Sequence, residues 1–150
     1  MKLAKDGNIT KEMELVAKKE QLDVEFIRRG LTKGRIIIPK SNIRELDSPI
    51  GIGKGLLVKI NANVGSSKTV CNIEEEIEKA KIAVKYGADT IMDLSTGVTE
   101  EDVKNIRKKI LNEVKVPLGT VPIYQSALRS LERKGAIIHM DEDDMFNVIE

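Results

Sequence analysis

Tryptophan is absent from this sequence, and two Tyr and two Phe bring its aromatic content to only 3%. Nucleic-acid surfaces rely on a basic stripe for phosphates and often on aromatic faces for stacking bases. Here 25 Lys and Arg are interleaved with 24 Asp and Glu for a net charge of +1, so no nucleic-acid partner is expected. One cysteine, Cys71, and one histidine, His139, exclude an internal disulfide framework, a self-contained cysteine cluster and a His pair for a metal. No apolar run approaches the roughly 20 residues of a membrane span, and the start MKLAKDGN has no signal h-region. A soluble, cytoplasmic protein without a membrane partner is therefore expected. Its 150 residues suffice for one domain with a buried core. They fall short of the about 250 that a closed β/α barrel typically takes.

What is present is globular composition, 41% hydrophobic and 33% charged. In residues 1–50, Thr10 is placed to cap a helix through Met13, Val16 and Ala17, whose spacing keeps them on one face. A second helix is expected from Val24 to Arg29, stopped by Gly30, and a short strand from Arg35 to Pro39. Ser41 to Pro49 reads as loop. Residues 1–50 are expected to form a mainly helical N-terminal extension to the unit in residues 51–150.

From Gly51 a strand–helix pattern repeats. Leu56–Ile60 reads as a strand followed by a polar loop from Asn61 to Cys71. Asn72 and Glu75 then open a helix with Ile73, Ile77, Ala80 and Val84 on one face, ended by Gly87. Thr90–Leu94 is the next strand, and Thr99 with Asp102 caps a helix bearing Val103, Ile106, Ile110 and Leu111. Val116–Val121 is a third strand, interrupted by Pro117, and a helix from Tyr124 to Lys134, ended by Gly135, follows. Three such units in series predict an α/β fold with a parallel sheet and right-handed crossovers. A last helix starts among the acids at Asp141 and runs to Glu150 without a C-terminal cap, so a longer protein is expected.

Parallel α/β folds collect ligands at the carboxyl ends of their strands. After the first strand, Asn61 and Asn63 alternate so that both can face one side; they suit either a turn or a heterocycle or ribose edge. At the second strand's end Met92 suits an apolar layer, and Asp93 is either held by a structural donor or acts as a base. At the third, Tyr124 sits at a helix start, where its phenol suits a phosphate, a ring nitrogen or simple packing. Gly51-Ile52-Gly53-Lys54-Gly55 precedes its strand, unlike a dinucleotide loop, and reads as a flexible approach to the repeat. His139 reads as a surface residue and Cys71 as a bystander near a helix start, where a thiol can be activated. The alternating charges of Asn72–Lys85 and Glu100–Lys109 read as solvated faces.

Four segments together resemble the phosphomethylpyrimidine synthase family, radical S-adenosylmethionine enzymes of thiamine biosynthesis. They are FIRRGLTKGRIIIP (26–39), PIGIGKGLLVKINANVGSS (49–67), EEEIEKAKIAVKYGADTIMDLSTG (74–97) and VPLGTVPIYQ (116–125). The resemblance implies the N-terminal portion of a lyase with a (β/α)8 TIM-type barrel, of which this chain would carry the first three β/α units, truncated. The family turns 5-aminoimidazole ribotide into 4-amino-5-hydroxymethyl-2-methylpyrimidine phosphate, and its full-length form is expected to be a homodimer. By this resemblance Asn63, Met92 and Tyr124 are the substrate-binding residues. The family's [4Fe–4S] cluster sits on a C-x2-C-x4-C run and its Zn2+ on two histidines, neither of which this sequence contains. S-adenosylmethionine completes its cofactor set. The chain alone is thus expected to be inactive, with no metal site and no assigned catalytic residue. A related 5-hydroxybenzimidazole synthase using the same ribotide, or a non-catalytic module for heterocycle binding or oligomerisation, are the alternative expectations.

Overall fold

The computed structural model describes residues 2–41, 44, 46, 48–67, 69, 71–96 and 99–149. These fall into two units, Met1–Ile60 with Lys115–Pro117, and Asn61–Val114 with Leu118–Glu150. Four positions of the expected 41–49 loop (42, 43, 45 and 47), Gly97 beyond the second strand, and Glu150 lie outside the described residues.

The first unit gathers three helices, α1 (Lys2–Lys5), α2 (Lys11–Glu20) and α3 (Val24–Thr32), with an antiparallel pair β1 (Ile36–Ile37) and β2 (Ile52–Gly53). Met13, Val16 and Ala17 of α2 close on Ile27 and Leu31 of α3, on Ala4 and on Ile36 to form its core. The Asp23 side chain accepts a hydrogen bond from the Glu25 N–H at 2.7 Å and so caps α3. Thr10 occupies the N-cap position of α2 without a side-chain cap bond. Gly30 does not stop α3, contrary to the sequence-based expectation. The helix continues to Thr32, and Ile36 packs against the bare Cα of Gly30, where a Cβ would fall 2.4 Å from Ile36 Cδ1. Within the glycine run, Ile52–Gly53 forms β2, and Lys54–Gly55 turns after it. Gly53 pairs with Ile36, and at φ +147° a Cβ would lie 2.1 Å from the Arg35 carbonyl oxygen.

In the second unit β3 (Asn61–Val64), β4 (Thr90–Asp93) and β5 (Leu118–Thr120) form a parallel sheet in that order, with α4 (Ile73–Lys85), α5 (Glu100–Glu113) and α6 (Pro122–Lys134) between and after them. A 3-10 turn (Ile137–His139) and α7 (Glu142–Ile149) follow. The expected α/β class and parallel pairing are observed, as an open three-stranded sheet; no closed barrel is present among the described residues. Asn72 caps α4 by accepting from the N–H groups of Glu74 and Glu75, and Thr99 with Asp102 completes a capping box on α5. Ile91, Val64, Ala80, Val103, Ile106 and Ile110 are buried, each large side chain contributing about 1.5–3 kcal/mol.

The first strand of this sheet is displaced from its expected position. The apolar run Leu56–Ile60 lies outside it, with Leu57 68% and Val58 93% exposed, and the asparagine segment forms β3 instead. The cause lies in the first unit. Glu20 at the end of α2 accepts the Leu57 N–H at 2.7 Å and pairs with the Lys59 ammonium at 2.8 Å, which removes this stretch from strand pairing. The third strand is also shorter than expected: Pro117 has no N–H to give a ladder, and Val121 is the N-cap of α6, which leaves Leu118–Thr120.

Burial pushes the Glu20 carboxyl up, but the hydrogen bonds from Lys59 and Leu57 and the charges of Lys59 and Lys19 hold it below 4.5 overall. A carboxylate depressed in the folded state adds stability above its unfolded value and loses it as pH falls through the folded one. Glu20→Gln, which strands the Lys59 charge, is expected to cost about 3 kcal/mol at pH 7. The thermal midpoints of the two proteins should converge as the pH falls below 4.5. A gap that is independent of pH would contradict the assignment.

Candidate functional site at the carboxyl end of the sheet

Side chains alternate along a strand, and residues paired across a parallel ladder share a face. The register sets Asn61 beside Thr90, Asn63 beside Met92, and Met92 beside Gly119. These residues form one face, and Val64, Ile91 and Asp93 the other. The second face is buried under the helices, whereas Asn61 and Asn63 are exposed. Thr90 Oγ1 donates to Asn61 Oδ1 at 2.7 Å, and Asn61 Nδ2 donates to Asn63 Oδ1 at 3.2 Å. The two asparagines thus face one side, as expected, but from a strand and not a turn. With its carbonyl oxygen occupied, Asn63 presents amide N–H donors at the end of the row.

Met92 lies across Gly119. A Cβ on Gly119 would meet Met92 Cε at 2.8 Å and Sδ at 3.0 Å, so the missing side chain makes room for the thioether. Tyr124 is 40% exposed in the first turn of α6, its N–H donating to the Val121 carbonyl at 3.1 Å. The sheet therefore brings Asn63 and Met92 side by side, and Tyr124 follows β5 at the same end.

Behind this face runs a buried polar chain. Asp93 is 1% exposed; its Oδ1 accepts from Ser95 N–H at 2.9 Å and Ser95 Oγ at 2.6 Å, and its Oδ2 accepts from Arg107 Nε at 2.6 Å. Of the two roles open to Asp93, the structural one is observed: it is paired on the helix side of the sheet. Arg107 Nη1 donates onward to Gln125 Oε1, and Gln125 Nε2 to Glu100 Oε1 at 3.3 Å. Glu100 also pairs with Lys104 at 2.8 Å and Arg129 at 3.5 Å. Burial pushes the Glu100 carboxyl up, yet the Lys104 and Gln125 hydrogen bonds and the charges of Lys104 and Arg129 hold it below the ordinary value. Lys134 closes the series on Asp144 at 2.8 Å and Asp141 at 2.5 Å.

The charges of 72–85 and 100–109 are therefore not all solvated, as the sequence pattern suggested. Glu76 and Glu100 are buried, and Arg107 reaches inward to a buried aspartate. Glu76 Oε2 accepts the Gly65 N–H at 2.6 Å. Gly65, at φ +142°, lets the loop after β3 approach β4 so closely that a Cβ would lie 2.5 Å from the Ser95 nitrogen. The two loops are then joined by Leu94 N–H to Val64 O and Thr96 N–H to Ser66 O, both 2.8 Å, and by Ser66 N–H to Ser95 Oγ at 3.2 Å. Gly119, Glu100 and Arg107 had no signal in the pattern of charges or turns. His139 and Cys71 are both exposed and stand apart from the sheet's strands. Among the described residues no group of three or more His, Cys, Asp or Glu is placed to hold a metal ion, and no helix is long and apolar enough to cross a membrane.

The family model described as the radical SAM ThiC family matches residues 1–150. Phosphomethylpyrimidine synthase 2 of Methanothermobacter thermautotrophicus is 54% identical over 150 residues, which is 100% of this chain and 34% of that protein. The phosphomethylpyrimidine synthase of Pyrococcus furiosus is 53% identical over the same share of each chain. A phosphomethylpyrimidine synthase of Thermus thermophilus is 51% identical over 151 residues, again 34% of its length. The chain thus spans about a third of the curated relatives it matches, in their N-terminal portion. A match over the whole chain, joined to about 50% identity along its length, makes it a member of the radical SAM ThiC family.

Proposed function

We propose that the chain is the N-terminal part of a phosphomethylpyrimidine synthase and that its Asn63–Met92 row, with Tyr124, binds part of 5-aminoimidazole ribotide. The observation that carries this reading is the polar face of the parallel sheet, on which Asn61 and Asn63 are exposed and Met92 half-buried while Val64, Ile91 and Asp93 on the opposite face are buried. In a (β/α)8 barrel the helices lie outside, and ligands meet the carboxyl ends of the strands. On this proposal β3, β4 and β5 are the first three strands of such a barrel, their open face turned to its interior, and the helices and short strands before them form an extension.

Each residue has a task suited to its chemistry. Asn63 offers amide donors to a ring nitrogen or a ribose oxygen. The Met92 thioether, seated over Gly119, supplies a polarisable surface for the flat imidazole. Tyr124 donates its phenol hydrogen to a phosphate oxygen or a ring nitrogen. In the complete family enzyme the [4Fe–4S] cluster and S-adenosylmethionine supply the radical that starts the rearrangement. The residues present do not fit that cluster: Cys71 is the single cysteine, and it is exposed. Zn2+ fits no better, with one histidine in the sequence. The contribution of these residues is to bind and orient the substrate.

In the synthase that contains this segment, Asn63→Ala and Tyr124→Phe are each expected to weaken ribotide binding by about fivefold or more, the worth of one hydrogen bond. Calorimetric titration measures it, and wild-type dissociation constants for both variants would overturn the reading. Gly119→Ala, which displaces the Met92 methyl, is expected to weaken binding by about tenfold and to lower the thermal midpoint only slightly. Unaltered affinity in that variant would remove Met92 from the site. Anaerobic assay of the 150-residue chain with iron, sulfide, S-adenosylmethionine and ribotide is expected to give no pyrimidine product. Turnover would contradict the placement of the cluster chemistry outside these residues.

A further inference from the structure

We infer that Arg107 is a positioning residue for the ribotide, setting the distance between the Asn63–Met92 row and Tyr124; this rests on the substrate reading above. The parallel ladder fixes Met92 against Asn63 directly, but it ends at the pair Asp93 and Thr120. Tyr124 lies beyond that point, in the first turn of α6, so no backbone ladder sets its place relative to β4. Arg107 makes the link. From α5 its Nε donates to Asp93, the residue after Met92, at 2.6 Å, and its Nη1 donates to Gln125, the residue after Tyr124.

Both ends of this bridge are themselves held. Ser95 fixes Asp93 through two hydrogen bonds to Oδ1, leaving Oδ2 for Arg107. Gln125 is 4% exposed, and its Nε2 donates to Glu100 Oε1 at 3.3 Å, so its carbonyl is turned to Arg107. A guanidinium can serve two acceptors in fixed directions because its donors form a rigid fork. A lysine at the same place brings one point charge and cannot span both. The Arg107 side chain is 15% exposed, which keeps the bridge shielded from water.

A double-mutant cycle on ribotide affinity in the synthase containing this segment tests the role. Arg107→Met alone is expected to weaken binding by about tenfold. In that background Tyr124→Phe should cost less than about twofold more, because the phenol is already out of place, whereas Asn63→Ala should keep its full factor. A merely structural Arg107 would lower the thermal midpoint and leave both combinations additive, and that result would overturn the inference. If the methionine variant does not fold, Arg107→Lys, which keeps a cation beside Asp93, is expected to show the same selective coupling to Tyr124. Additivity there would overturn the inference equally. Wild-type affinity in the Tyr124→Phe and Asn63→Ala single variants would overturn the substrate reading first, and this inference with it.

Discussion

The pairing of Asn61–Val64 with Thr90–Asp93 in one register is the constraint on which the second unit depends. Strand side chains alternate with a period of two, so a slip of one residue would turn every one of them over. Val64 would then turn to the exposed face, and Asn63 would take its place on the buried one, where an amide needs hydrogen-bond partners. The observed register does the reverse. It buries Val64 and Ile91, leaves Asn61 and Asn63 exposed, and points Asp93 at Arg107. Packing on one face and polar chemistry on the other follow from a single alignment.

The buried chain from Ser95 through Asp93, Arg107, Gln125 and Glu100 to Arg129 is a costly way to fill space. Taking a carboxylate and a guanidinium out of water exacts a desolvation penalty that apolar side chains of similar volume would avoid. Such a network is tolerable when its donors and acceptors are satisfied, and the Asp93 carboxylate accepts three bonds. At the far end Arg129 Nε, buried, makes no hydrogen bond among the described residues and is held by the nearby Glu100 and Asp144 charges. What it brings is direction. Apolar contacts allow sliding, whereas an aspartate, a guanidinium and an amide joined in series fix α5 and α6 at defined places behind β4.

Much of this architecture was legible in the residues. Asn72 and Thr99 with Asp102 announce helix starts because their side chains satisfy amide groups that the helix leaves bare. Gly87 and Gly135 mark the stops by adopting positive φ. The four family-like segments pointed to the family that the whole-chain match establishes. The displaced first strand was not legible, because Leu56–Ile60 has the apolar character of a strand and its exclusion depends on Glu20, more than thirty residues earlier. Arg107 and Glu100 were missed for a related reason. Their neighbours alternate in sign as on any wet helix, and only the approach of Asp93 and Gln125 in space reveals that these two face inward. Gly119 carried no signal of its own, because its role is to leave room for Met92 on the neighbouring strand.

On the proposed reading, the face of β3, β4 and β5 that carries Asn63 and Met92 receives the ribotide. The methionines of this segment offer a direct probe, since Met92 stands in that face while Met13 is buried in the first unit and Met140 and Met145 lie outside the sheet. With 13C-methyl methionine in the synthase containing this segment, addition of 5-aminoimidazole ribotide is expected to shift the Met92 methyl resonance and leave those of Met13, Met140 and Met145 in place. Saturating ribotide with an unmoved Met92 signal would contradict the account.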